Sequence, residues 1–450
     1  MKLKLLSLVL IGLCNILHAE KYFTPDPPPT VISVYEDAVF YDMYAATVNQ
    51  SLPADAIRQS NSSYTKMLTE SQLDSFGNKL TMNITIGALC DNYDRLANVY
   101  LALVTKGSAD YDTNSVTKLE LGRFITPFMN KNVSPTSVPY AFQMDNVAAI
   151  LKDPVLRSQY DFWIEFVVLG VPYAAQTQVS GCAGRIDTFK GSLSFTTTTD
   201  SSIPATNNFL LPMTAAKSLN NYSATDVPGQ TIRMLSFVLN APVNNANFYL
   251  ITSNHGANSG GEEYIRRQHF ISLNDQPIYN YTPGGKSCEP YRQYNTQGNG
   301  IYGSSAQSTS WWTSWNNWCP GDAVPIRKIP LGNMQAGSYT FQISVPSAQF
   351  VGQQGDFPLS VYFQGEKQNV LSTSDVKITD VKIYPNPVVD VVKISSTKKV
   401  KATEVYSSEG RLLRVFKGNE ADISEYQSGM YLLNIIFDDG ISLKHKIIKK

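Results

Sequence analysis

The stretch Leu80-Thr81-Met82-Asn83-Ile84-Thr85-Ile86 alternates apolar and polar residues, and similar runs recur along the chain. Successive side chains on a strand point to opposite faces, so alternation marks a strand with one face in a core. Leu96–Val104 and Tyr160–Val168 read as more deeply buried strands. Met234–Leu239, Asn247–Ile251, Gly337–Val345 and Leu359–Gln364 are further strand candidates. Turn residues separate them, and helical periodicity is scarce. Many short strands bounded by turns predict an all-β sandwich or jelly roll. From the stiff run Pro25-Asp26-Pro27-Pro28-Pro29-Thr30 to about residue 80 the pattern is weak and polar. Whether residues 20–78 form an added extension or part of the first β domain stays open.

The chain has 450 residues and 43% hydrophobic content, enough for several cored domains. Its 37 basic and 37 acidic residues balance, so no basic field for nucleic acid organises it. Lys2 and Lys4, an apolar run from Leu5 to Leu13, and Leu17-His18-Ala19 read as a secretory signal peptide, residues 1–19. The run is too short to cross a bilayer. Leu13 stands where a lipoprotein site before Cys14 would need a small residue. Cys90, Cys182, Cys288 and Cys319 then predict two disulfides, with three pairings open. The C-x2-C spacing of thiolate zinc sites is absent, and only His255 and His269 lie in the main body. No metal and no cofactor is expected, and the scarcity of His argues against a copper monooxygenase, which needs several His and Met ligands.

Two breaks divide the chain. Thr196–Pro204 reads as a polar linker, and a second break lies near Leu371-Ser372-Thr373-Ser374-Asp375. Beyond it, Ile383-Tyr384-Pro385-Asn386-Pro387-Val388, Gly429-Met430-Tyr431-Leu432-Leu433 and the basic end Lys444–Lys450 punctuate short alternating strands. This segment, residues 376–450, resembles the sorting domain of type IX secretion cargo. The resemblance implies a small β-sandwich, export through the periplasm, the type IX machinery as partner, and a secreted or cell-surface protein.

Charges in unusual places mark the candidate chemistry. Glu165 sits among Phe162, Trp163, Ile164, Phe166, Val167 and Val168, where an unpaired carboxylate would be costly. Asp91-Asn92-Tyr93-Asp94-Arg95 directly precedes a buried strand. A glycine-rich stretch, Asn254 to Gly261, ends in Glu262-Glu263-Tyr264-Ile265-Arg266-Arg267-Gln268-His269. Each alone reads equally as a solvated turn or a surface ion pair. Four of the five tryptophans fall together at Trp311, Trp312, Trp315 and Trp318.

Taken in order, four motifs resemble the peptide:N-glycosidase F family over residues 75–365. They are Cys90-Asp91-Asn92-Tyr93-Asp94-Arg95-Leu96-Ala97-Asn98-Val99-Tyr100, Gly122-Arg123-Phe124-Ile125-Thr126-Pro127-Phe128, Glu262–His269, and Trp318-Cys319-Pro320-Gly321-Asp322-Ala323-Val324-Pro325. The resemblance implies two adjacent eight-stranded antiparallel jelly rolls, residues 79–196 and 205–366, with the active site between them. It implies a monomeric amidase that cleaves the bond from asparagine to the first N-acetylglucosamine of N-glycans, leaving aspartate. N-glycosylated proteins or glycopeptides are its implied substrates. Asp94 is the implied general base or proton relay. Glu263, with Glu262 as the alternative, would act through water on the peptide side, and Glu165 would be the third acid. Arg95, His255 and Trp318 are implied substrate contacts. The resemblance implies the disulfide Cys288–Cys319; the family's partner just upstream of Cys90 is missing, so Cys90–Cys182 is expected by elimination. Val167 and Ser253 or Asn254 stand where the family carries tryptophans. The extra Trp311, Trp312 and Trp315 either rebuild that sugar-facing wall or form a packed corner. The rival reading is a secreted carbohydrate-binding protein of the same fold without catalysis.

Overall fold

The computed structural model describes residues 28–204, 207–220, 227–257, 259, 261–367, 381–408, 411–438 and 442–450. The expected signal peptide and the break at 371–375 lie outside the described residues. The chain divides into one unit ending at Gln368 and another running from Asn369 to Lys450.

The first unit contains two antiparallel sandwiches. Strands of the first are β1 (Thr30–Tyr41), β2 (Ala56–Ser60), β3 (Ser63–Met67), β4 (Lys79–Ala88), β5 (Leu96–Thr105), β6 (Thr117–Ile125), β7 (Ser137–Gln143), β8 (Tyr160–Val168) and β9 (Asp187–Thr198). Strands from the second half are β10 (Asn208–Ser218), β11 (Ile232–Leu239), β12 (Val243–Thr252), β13 (His269–Leu273), β14 (Gln276–Tyr281), β15 (Ala323–Val324), β16 (Arg327–Met334), β17 (Gly337–Ser344) and β18 (Pro358–Lys367). In the first sandwich the sheet β1-β9-β4-β7 packs on β15-β6-β5-β8-β3-β2. In the second, β10-β18-β12-β16 packs on β11-β17-β13-β14. Each core lies between its sheets. Met82, Ile84, Phe189 and Leu193 meet Val99, Leu101, Phe162 and Phe166 in one, and Phe248, Val361 and Phe363 meet Phe237, Phe341 and Ile343 in the other.

The open question about residues 20–78 is answered from Thr30 onward. Strand β1 pairs with β9, and β3 pairs with β8, so this segment supplies strands to both sheets of the first sandwich. Its signal is weak because β1 is irregular. Asp37 has a φ of 44°, and the register shifts between Ser33 and Tyr35 and again between Tyr35 and Ala38. The buried positions therefore change parity, from Ile32 and Val34 to Tyr35 and back to Ala38 and Phe40. An inserted residue in a strand breaks the period of two in this way. The linker is also shorter than its composition predicts. Thr196, Thr197 and Thr198 belong to β9 and pair with Thr81, Leu80 and Lys79.

The cysteines pair as Cys90–Cys182 and Cys288–Cys319, with Cα–Cα distances of 5.4 and 5.3 Å. The unit from Asn369 has its own core, with Val392, Ile394, Val405, Leu433, Ile435, Phe437 and Ile447 between a three-stranded and a four-stranded sheet.

What positions a site is how the two sandwiches join. Strand β15 comes from the second half yet pairs with β6, Ala323 opposite Phe124 and Val324 opposite Arg123. The Ile125 N–H donates to the Asp322 carbonyl at 3.0 Å, and the Gly321 N–H to the Ile125 carbonyl at 2.9 Å. Ile125, Ile251 and Val324 form a buried apolar cluster across the seam. Truncating Ile125 to Ala should cost about 2–5 kcal/mol, the usual range for a buried large-to-small change. We expect a lowered thermal midpoint for the double sandwich, read by near-ultraviolet circular dichroism, with the far-ultraviolet β signal retained at room temperature.

Candidate active site

Asp94 lies in the turn between β4 and β5. That turn is held at several points. Asp91, fully buried, accepts the Tyr93 N–H at 3.0 Å and the Val171 N–H at 2.6 Å. It also receives both Nε and Nη2 of Arg95, at 2.6 and 3.1 Å. Arg95 donates its own N–H to Thr126 Oγ1 at 2.7 Å, which ties the turn to the end of β6. Cys90, next to Asp91, is fixed by its disulfide. Asp91 is thus a binding partner for Arg95, and Asp94 is left to face elsewhere. In the sequence Asp91 stands out only by its four-residue spacing to Arg95.

Glu263 comes from the loop between β12 and β13. Its Oε2 accepts the Gly256 N–H at 2.9 Å. Gly256 has a φ of 121°, and a Cβ there would lie 2.4 Å from the Gly355 Cα, so both conformation and space require glycine. Asn317 Nδ2 donates to the backbone carbonyls of Glu262, Glu263 and Ile265, which pins the loop from beneath. The neighbouring Glu262 is fully buried and turned away. It binds Arg267 Nε and Nη2 at 2.7 and 2.9 Å and the Gln349 N–H at 2.7 Å. A carboxylate so fully engaged is a strut of the loop, which leaves Glu263 as the acid on the side of Asp94.

Electrostatics link the two acids across the seam. Burial, and next the negative charge of Glu263, push Asp94 up to about 7, while Arg95 pulls it down. Burial also raises Glu263, with the Gly256 N–H and the Tyr264 hydroxyl opposing it. A buried carboxylate raised further by a neighbouring like charge suits acid–base work near neutral pH. His255 and Trp318 line the same region. Their rings lie 5.9 Å apart, and Trp318 Nε1 donates to the Asn254 carbonyl at 2.8 Å. Burial and the Arg123 charge lower His255 to about 3, so its ring is neutral.

Glu165 is not part of this group. It sits opposite Tyr100 on β5, six residues beyond Asp94. At about 3.3 Å per residue that is roughly 20 Å along the sheet. Its charge is matched where it lies, by Lys118 Nζ at 2.8 Å and by the Ser63 hydroxyl at 3.3 Å. The apolar strand that made Glu165 conspicuous also explains this local partner, since a buried carboxylate needs one. A cavity of about 710 Å³ also lies apart from Asp94, near Asn146, Asn208 and Gln364. Its amides are used up in the seam, as Asn146 and Asn208 bond to Gln364 at 2.9 Å.

The tryptophan stretch divides. Trp312, on a short helix at Thr309–Thr313, is fully buried against the Cys288–Cys319 disulfide. Its Nε1 donates to Glu289 Oε1 at 2.9 Å, which makes it a packed corner. Trp311 is 39% exposed, and Trp315 stands 5.4 Å from the Tyr264 ring, next to Glu263. Only Trp311 and Trp315 therefore remain available as a wall beside the acids.

The raised Asp94 makes a stability prediction. Its folded value lies above the ordinary carboxylate value, so the native state binds more protons in between. Stability from this group is therefore lost as pH rises from about 4 to about 7. Asp94→Asn should melt higher than wild type at about pH 8 and level with it at about pH 4. Paired melting curves at the two pH values check this, and a variant that melts lower at the higher pH contradicts it.

Comparison with known proteins gives this geometry a family. Residues 31–183 match the model described as peptide-N-glycosidase F, N terminal, and residues 221–364 the model for its C terminal. Residues 382–450 match the secretion system C-terminal sorting domain, the signature of type IX export to the cell surface or the medium. No curated protein matches. Among solved structures, PNGF-II in its P21 crystal form aligns over 76% of this chain with a TM-score of 0.57 at 19% identity. Its C2 form gives a TM-score of 0.55 at 18% identity over 76% of this chain. The chain covers 66% and 65% of those two structures. PNGase F from Flavobacterium meningosepticum, titled a glycosylasparaginase, aligns over 76% of this chain and 97% of its own at 16% identity and a TM-score of 0.46. With both halves matched in order, the chain belongs to the peptide-N-glycosidase F family and carries a C-terminal secretion sorting domain.

Proposed function

We propose that this protein is an exported amidase that hydrolyses the bond between asparagine and the first N-acetylglucosamine of N-glycans. The observation that carries the reading is the pairing of Asp94 and Glu263 across the seam, with Asp94 raised to about 7. An acid near neutrality can take a proton from water and return it within one turnover. Asp94 is assigned that role, with the linkage amide and the attacking water beside it. Glu263 keeps Asp94 basic through like-charge repulsion and holds water on the peptide side. Arg95, oriented by Asp91, has its Nη1 free of the bonds that fix Nε and Nη2, and this is the donor proposed for a substrate oxygen. His255 and Trp318 supply the remaining contacts, and the working species is taken as the monomer. Glu165 has no part in the reading.

The products test it. With denatured glycoprotein in heavy-oxygen water, intact glycan should be released and the label should enter the new aspartate. Asp94→Asn should lower the rate by about 10²–10⁴-fold, the ordinary contribution of a positioned acid–base group. Well-folded protein that binds glycan with no release and no label supports the non-catalytic carbohydrate-binding reading instead.

The pH profile is a second check. Catalysis that needs ionised Asp94 should rise with pH through a midpoint near 7. Glu263→Gln removes the like charge and should move the midpoint of its residual activity to lower pH. The tryptophans should separate in the same assays. Trp312→Ala is expected to cost about 3–5 kcal/mol of stability. Trp315→Ala should leave the melting point near wild type and raise KM.

A further inference from the structure

The lowered charge state of His255 has a structural source on the far side of the seam. Arg123, on β6, is fully buried. Its Nε and Nη2 bind Glu120 at 2.8 and 2.7 Å, and its Nη1 binds the Pro358 carbonyl at 2.7 Å and Ser253 Oγ at 2.9 Å. Ser253 Oγ in turn lies 2.6 Å from His255 Nε2. A guanidinium has five donors and no acceptor. In the contact with Arg123, Ser253 can only accept. Its own proton then needs an acceptor, and a buried hydroxyl left without one is unfavourable. Among the described residues, His255 Nε2 is the acceptor within reach. The direction of the chain is therefore fixed, from Arg123 to Ser253 to His255.

We infer that Arg123, acting through Ser253, locks His255 in the neutral tautomer with its proton on Nδ1, so that the ring offers an N–H donor to an oxygen of the substrate. Arg123 and Ser253 are positioning residues, since neither needs to touch substrate. Burial and Arg123, the nearby cation that disfavours a second positive charge, favour the same form. The Trp318 ring lies 5.9 Å away, and the acid Asp356 pairs with His255 through the backbone. The acid on the same loop, Glu263, is engaged by the Gly256 N–H. The use of the donor on a glycan or peptide oxygen rests on the amidase reading, whereas the tautomer itself does not.

The test reads the ring directly. Full-length secreted protein is labelled with isotopic nitrogen in histidine, and long-range nitrogen–proton correlations are recorded, with His255→Gln used for assignment. Wild type should show a neutral ring protonated on Nδ1 from about pH 5 to pH 8, well away from free histidine near 6.5. Ser253→Ala, checked by its melting curve, should bring in the Nε2-protonated form, and Ser253→Thr, which keeps the hydroxyl, should restore the wild-type pattern. If glycan release is found, Ser253→Ala should lower kcat/KM about tenfold and Ser253→Thr should recover most of it. A wild-type ring protonated on Nε2, or charged at about pH 6, overturns the inference whether or not the enzyme turns over. An unchanged spectrum in well-folded Ser253→Ala overturns it as well.

Discussion

The buried guanidinium of Arg123 is the constraint around which the double sandwich is arranged. Both it and Glu120 have no exposed surface, so neither charge is solvated by water. Desolvation of such a pair is costly, and it is tolerated only with good geometry and full hydrogen bonding. Here the pair is completed from both sides. Asn98 donates to Glu120 from β5 at 2.6 Å, and Ser360 donates to it from β18. Pro358 and Ser253 receive Arg123 from the second sandwich. Neither sandwich alone satisfies these charges, and separation would leave both with lost partners. The relative placement of Asp94 and Glu263 is a consequence, since each hangs from an element that this network holds.

Charge is used in two ways within a few residues. Asp91 and Asp94 are three apart, and Glu262 and Glu263 are adjacent. In each case one carboxylate is neutralised by an arginine and fixes backbone, Asp91 with Arg95 and Glu262 with Arg267. The other stands without such a partner and is raised by burial. The arrangement repeats on both sides of the seam. A rigid, satisfied anion holds a raised one in place, which is how a fold keeps a costly carboxylate without losing its geometry.

Much of this was legible in the sequence where the pattern is regular. Strands β4, β5 and β8 announce themselves because their alternation or apolar run is unbroken. Strand β1 does not, because a bulge inside it changes which residues face the core. The motif with Asp94 and Glu263 could be found by resemblance, but the choice between Glu262 and Glu263 needed coordinates, because the two differ only in which way a loop turns. Glu165 shows the opposite failure. A carboxylate in an apolar strand is conspicuous, yet its partner Lys118 lies 47 residues earlier, and pairing across a sheet cannot be read along a chain. Arg123 and Ser253 were in plain view, and nothing local marks them, since their role depends on a contact between residues 130 positions apart.

The short strand β15 has a consequence for the order in which the chain completes its fold. A chain that has folded only as far as β9 ends its second sheet at β6, with that strand's outer backbone groups unpaired. Such an edge is a template for pairing with another chain. Ala323 and Val324, which arrive some two hundred positions later, cover that edge at Phe124 and Arg123. A chain cut short before them would therefore keep an adhesive edge. The same two residues that join the second sandwich to the first also cover part of an open edge of the half-made protein, so docking and edge protection come in one step.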